Sequence, residues 1–169
     1  MPLDLDLRAF LQDPQVEGLL RILLAGGLAA LIGLEREMEG KPAGIRTYGL
    51  VGMGAASFTM VGLLVFGTGD PASRVAQGIV TGIGFIGAGT ILHMRRQVVG
   101  LTTAAGLWVA AALGMAIGGG LYILGIGAGI AVFLLLQFLR PELLVRLGLA
   151  TDEDVQGRVT EGEPRDEGD

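Results

Sequence analysis

The chain has no cysteine, which excludes disulfides, thiolate metal sites and cysteine nucleophiles. Its single histidine, His93, and its serines, Ser57 and Ser73, form no recognisable nucleophile elbow or spaced triad, so hydrolase chemistry is not expected. The one lysine, Lys41, follows Gly40, but Glu35 stands where a phosphate loop needs its first glycine and Pro42 where it needs a hydroxyl. No nucleotide site is expected, and an ATP-driven pump goes with it. Basic surface is also scarce. The net charge is −5, with Asp4, Asp6, Asp13 and Glu17 at one end and a dense acidic tail at the other, so nucleic acid is not an expected partner. Only 17% of the residues are charged against 51% apolar, too few for a water-soluble domain of 169 residues.

What is present is a series of uncharged stretches. Residues 47–69, 75–92 and 97–139 carry no charged side chain. About 20 helical residues cross a hydrocarbon core of roughly 30 Å. The last stretch would make a helix of roughly 64 Å at ~1.5 Å per residue, so it must turn back, and Gly118-Gly119-Gly120 is the obvious place. With 18–34 as the first element, the pattern predicts an all-α, polytopic membrane bundle with spans at about 18–34, 48–66, 75–92, 101–117 and 121–139. Arg21 lies inside the first, one turn from its end, where its side chain can snorkel to the headgroups.

Basic residues fall in the first loop (Arg36, Lys41, Arg46), the third (Arg95, Arg96) and the C-terminal segment (Arg140, Arg146), which predicts an N-terminus outside and a C-terminus in the cytoplasm. Residues 1–17 lack the basic region and cleavage site of a secretory signal, and 4–15 are read as a short interfacial helix or a frayed end. Residues 18–140 make the membrane domain. Residues 141–169 are read as a largely disordered cytoplasmic tail, poor in large apolar residues beyond Thr151.

Thirty glycines sit mostly inside the apolar runs. Gly82, Gly84 and Gly87 spell a dinucleotide fingerprint, but they lie mid-span rather than between a strand and a helix. Gly78 with Gly82, Gly114 with Gly118, and Gly125 with Gly129 have the GxxxG spacing of close helix crossings, and Gly89 extends the small-residue run. They point to helix packing and a homo-oligomer. The first loop places Glu35, Arg36, Glu37, Lys41, Arg46 and Thr47 just beyond the first span. Glu35 and Glu37 are candidate Mg²⁺ ligands, and a solvated positive-inside loop is the plainer reading. Glu35, nearest the hydrocarbon, is expected to be functional or ion-paired. Asp70 is expected to cap a helix with Pro71 in its first turn and to pair with Arg74. Gln77 with Thr81, and Thr102 with Thr103, are candidate interhelical hydrogen-bond partners or the lining of a polar path, and Trp108 a mid-span packing residue.

Three motifs resemble the MgtC/SapB family of bacterial inner-membrane proteins. They are Leu31-Ile32-Gly33-Leu34-Glu35-Arg36-Glu37 followed by 41–47; the segment from Asp70-Pro71 to Ile91 with its glycine-rich core; and Gly100-Leu101-Thr102-Thr103-Ala104-Ala105 through Trp108. The resemblance implies an inner-membrane protein linked to Mg²⁺ homeostasis or growth at low Mg²⁺, with virulence in some members and the F-type ATP synthase as a membrane partner. It implies no enzyme and no resident cofactor beyond a candidate Mg²⁺ ligand set. The chain is expected to lack the folded soluble C-terminal domain of longer members. Tyr48 stands where many members carry histidine, so no role is carried over to it. Two functions compete: a membrane regulator acting through helix contacts, and a cation carrier. The regulator leads, because among side chains only Gln77 and Thr81 bring polar groups near the midplane.

Overall fold

A computed structural model describes residues 13–94 and 97–138. Helix α1, Pro14–Met38, starts four residues before the expected first span because the Asp13 carboxylate accepts from the Gln15 amide (2.8 Å) and Pro14 fits a first turn that needs no N–H. It ends at Gly40, whose φ of +66° lets the Lys41 and Gly40 amides fold back onto the Arg36 and Glu37 carbonyls. Pro42 then bars further helix. Helix α2 spans Ile45–Val65, α3 Asp70–Gly89, α4 Leu101–Gly118 and α5 Tyr122–Phe138. The α4–α5 turn falls at the triple glycine, where Gly120 (φ +81°) closes α4 with the same pair of back-bonds.

One feature differs from the sequence-based expectation. Residues 90–100 are not a plain loop: strands β1 (Leu92–Met94) and β2 (Gln97–Val99) form a short antiparallel hairpin, pairing Leu92 with Val99 and Met94 with Gln97. Among the described residues, five helices fall where the five spans are expected; α1, α2 and α4 are each long and apolar enough to cross a membrane, α5 is apolar over its 17 described residues, and α3 opens with Asp70, Ser73 and Arg74. The expectations for residues 1–12, Arg95, Arg96 and 139–169 lie outside the described residues.

The core is built by α1, α2 and α4, whose small residues let backbones nearly touch. A Cβ on Gly33 would lie 2.7 Å from the Gly44 carbonyl oxygen, and one on Gly52 2.7 Å from the Ala29 methyl. Gly114 lies against the Gly52 carbonyl and Gly118 against the Ala56 backbone. Around these crossings Ala25, Ala29, Ile32, Ala56, Leu107, Ala110 and Ile117 are sealed from solvent. Such packing supplies the dispersion contacts that must hold helices together where lipid is as apolar as the side chains. Helix α3 lies outside this trio, touching α2 where Gly62 meets Val75 and α4 where Gly87 meets Ala104. The compact unit ends at Val132, within α5. In it, α5 leans on α4 through Gly125 against Ile117 and Gly129 against Leu113.

Candidate functional site

The end of α1 and the starts of α2 and α4 converge on one buried polar cluster. Glu35 and Arg36, both in the last turn of α1, are 3% and 5% exposed, and Arg36 Nε lies 2.9 Å from Glu35 Oε2. Glu35 is therefore not a loop residue and Arg36 is not solvated. The helix runs on to Met38, which draws both into the protein. A buried, adjacent pair replaces water with a mutual Coulomb attraction, and losing one partner would strand the other. Tyr48 fills the space beside them. It is fully buried, its hydroxyl approaches the Thr103 carbonyl oxygen of α4 at 3.4 Å, and its ring occupies the room that Gly106 leaves by having no side chain.

Glu37 has a different task. Its Oε2 accepts from the Ile45 amide at 2.9 Å, capping α2, whose own N-cap is Gly44 and has no side chain to offer. A Cβ on Gly44 would overlap the Glu37 carboxylate, so the glycine is what lets the cap close. Glu35 and Glu37, the candidate Mg²⁺ ligands, do not converge here. Two residues apart on a helix, they project about 200° from one another, one carboxylate onto Arg36 and the other onto a backbone amide. Among the described residues no three His, Asp or Glu side chains gather as a metal-holding group.

The remaining candidates spread out. Arg46 and Thr47 belong to the first turn of α2 rather than the loop, with Arg46 exposed, and Lys41 is exposed. Thr103 is buried in the cluster, whereas its neighbour Thr102 is exposed. Asp70 does not cap α3. The N-cap is Gly69, with φ of +91°, and Asp70 is the first helical residue, because only glycine readily takes that turn ahead of Pro71. Arg74 is exposed too, and no ion pair between it and Asp70 forms among the described residues. Gln77 and Thr81 lie on the outward face of α3, not in the bundle. Of the packing glycines, Gly87, Gly114 and Gly118 meet neighbours, while Gly78, Gly82, Gly84 and Gly89 meet none among the described residues. Trp108 is half exposed rather than packed in the core.

Sequence reasoning missed a second cluster at the opposite end of α1. Arg21 does not snorkel. It pairs with Glu17, donates to the Tyr122 hydroxyl (2.8 Å) and to the Gly118 carbonyl (3.0 Å), and lies over the Tyr122 ring, 5.5 Å from its centroid. One cation thus ties α1 to the end of α4 and the start of α5. The signals available were Arg21 inside an apolar run and its i, i+4 spacing from Glu17, but Gly118 and Tyr122 lie about a hundred residues away and no local spacing announces them.

Long apolar helices knit by glycines, with charge buried at their ends, define a helical membrane protein. The chain belongs to the MgtC family: the family profile matches residues 22–143. It is similar to a putative magnesium transporter, YhiD, of Escherichia coli K12, with 47% identity over 72% of this chain and 60% of that protein. Similar too are protein SrpB of Synechococcus elongatus (47% identity; 63% of this chain and 65% of that one) and protein MgtC of Brucella abortus (45%; 70% and 50%). The chain thus spans between half and two thirds of the length of these curated relatives. No solved structure matches it.

Proposed function

We propose that this chain is a multi-pass, non-catalytic protein of the bacterial inner membrane that serves Mg²⁺ homeostasis or adaptation to low Mg²⁺ as a regulator, acting through helix contacts. On this reading the N-terminus is outside and the C-terminus cytoplasmic, as the basic loops favour. The observation that carries it is the outward face of α3. Ser73, Arg74, Gln77 and Thr81 are all exposed there, and Gly84 and Ala88 continue the stripe. Polar side chains within a bilayer are costly when they face lipid and normally face protein or a water-filled space. A second copy of the chain, or another membrane protein, would cover the stripe and accept its hydrogen bonds. The F-type ATP synthase is the heterologous partner suggested by the family resemblance, and virulence inside host cells is the setting it suggests.

Both carboxylates nearest to a would-be ion site are occupied by structural partners, which also favours regulation over conduction. The carrier is the second reading, favoured by the printed name of the E. coli relative. Mg²⁺ flux into proteoliposomes of purified protein, against empty vesicles, separates the two. The regulator predicts no saturable flux under either membrane polarity. Saturable flux lost in a folded Gln77→Leu or Thr81→Val variant would instead make the stripe a conducting path.

A further inference from the structure

Helices α2 and α3 touch near the loop that joins them, where Gly62 meets Val75, and part as they run from it. The wedge between them is a groove of about 670 Å³ walled by Leu50, Phe58, Gly78, Gly82 and Ile86, with Ala111 of α4 among its lining residues. Among the described residues, no atom lies within 4 Å of where a Cβ on Gly54, Gly78 or Gly82 would sit. From Thr47 to Phe58 the groove runs for roughly 17 Å at ~1.5 Å per residue, about one leaflet of a ~30 Å hydrocarbon core. An apolar groove one leaflet long suits a hydrocarbon chain.

One end of the groove is polar. Thr47 lines it, and Arg46, exposed, precedes Leu50 by one turn on the same ridge. Both belong to the first turn of α2, whose Ile45 amide is already taken by the Glu37 carboxylate, so the attraction for an anion rests on the Arg46 guanidinium and the Thr47 hydroxyl. A cation and a hydroxyl at the mouth of a leaflet-long apolar groove match a phosphodiester with an acyl chain below it. We propose that the groove holds an acyl chain of an anionic diacyl glycerophospholipid, with its phosphate against Arg46 and Thr47. The lipid fills the wedge and fixes the angle at which α3 leaves α2. The inference depends only on the chain lying in a bilayer, so it stands apart from the choice between regulator and carrier.

The test is native mass spectrometry of the full chain, delipidated and then incubated with phosphatidylglycerol or phosphatidylethanolamine of identical acyl chains. Phosphatidylglycerol should be retained in preference. Arg46→Gln should lower its retention about fivefold, one basic residue's share of headgroup attraction, leave phosphatidylethanolamine unchanged, and be rescued by Arg46→Lys. Gly82→Leu, which projects into open space, should displace both lipids with no loss of thermal stability. Equal retention of the two lipids, insensitive to Arg46→Gln, would overturn the proposal. So would a Gly82→Leu variant that dissociates an oligomer while lipid retention is intact, since the groove would then belong to a helix of a second copy.

Discussion

The glycines of α1, α2 and α4 and those of α3 share the same spacing and have opposite surroundings. Gly33, Gly52, Gly114 and Gly118 press against backbone or methyl groups of a neighbouring helix, so that any side chain would force two helices apart. Gly78, Gly82, Gly84 and Gly89 meet nothing among the described residues. The first set builds a fixed three-helix core whose charged end, Glu35 with Arg36, is sealed inside. The second set lies on a helix packed at the edge of that core, with Ile83 and Gly87 turned inward and polar residues outward. GxxxG spacing marks a surface on which backbones can approach, and whether one does within a single copy is decided by the fold.

The sharpest way to break this contrast is at the sealed charge. Glu35→Gln should cost about 3–5 kcal/mol by stranding the buried Arg36 guanidinium, read as thermal unfolding in detergent. The double variant Glu35→Gln/Arg36→Met should recover part of that loss, and equal stability of the single variant and the parent would mean that the pair is not buried together. Next comes the paired glycine comparison. Gly114→Leu should destabilise by about 1–3 kcal/mol or more through overpacking against α2, whereas Gly82→Leu in α3 should leave the melting temperature unchanged. Similar losses in both would erase the distinction. Smaller is Tyr122→Phe, which removes one acceptor of the Arg21 guanidinium and should cost about 1 kcal/mol on the same scale. Smallest on stability is Thr81→Val, expected to leave the monomer unchanged while weakening association in the membrane.

Much of the helix count was legible because uncharged length is a direct reading of the bilayer constraint, and the triple glycine turn followed from a run too long for one crossing. Boundaries were less so. The run of 18–34 was bounded by Glu17 and Glu35, but Asp13 and Pro14 extend α1 backward, and burial of Glu35 and Arg36 carries it forward to Met38. Counting charge cannot distinguish a solvated carboxylate from one neutralised by its neighbour. The hairpin over Leu92–Met94 and Gln97–Val99 was hidden by its shortness. At the site, Glu35 as an ion-paired residue was legible from its closeness to hydrocarbon. The role of Glu37 was not, since capping the Ile45 amide depends on how the loop through Gly40 and Gly44 folds back. Tyr48 against Gly106, and Arg21 with Tyr122, are contacts between distant segments that periodicity within one helix does not encode.

The most direct test of the central claim, that the outward face of α3 is where this protein meets another, is photo-crosslinking in native membranes. A photoreactive residue is placed at Gln77 or Thr81 and, as the control, at Ile123, which is 92% exposed on the apolar helix α5. The account predicts defined protein adducts from Gln77 and Thr81, lost when Thr81→Val or Gln77→Leu is introduced at the other position, and only lipid adducts from Ile123. Lipid adducts alone from all three positions would contradict it, because the polar stripe of α3 would then face the bilayer without a partner.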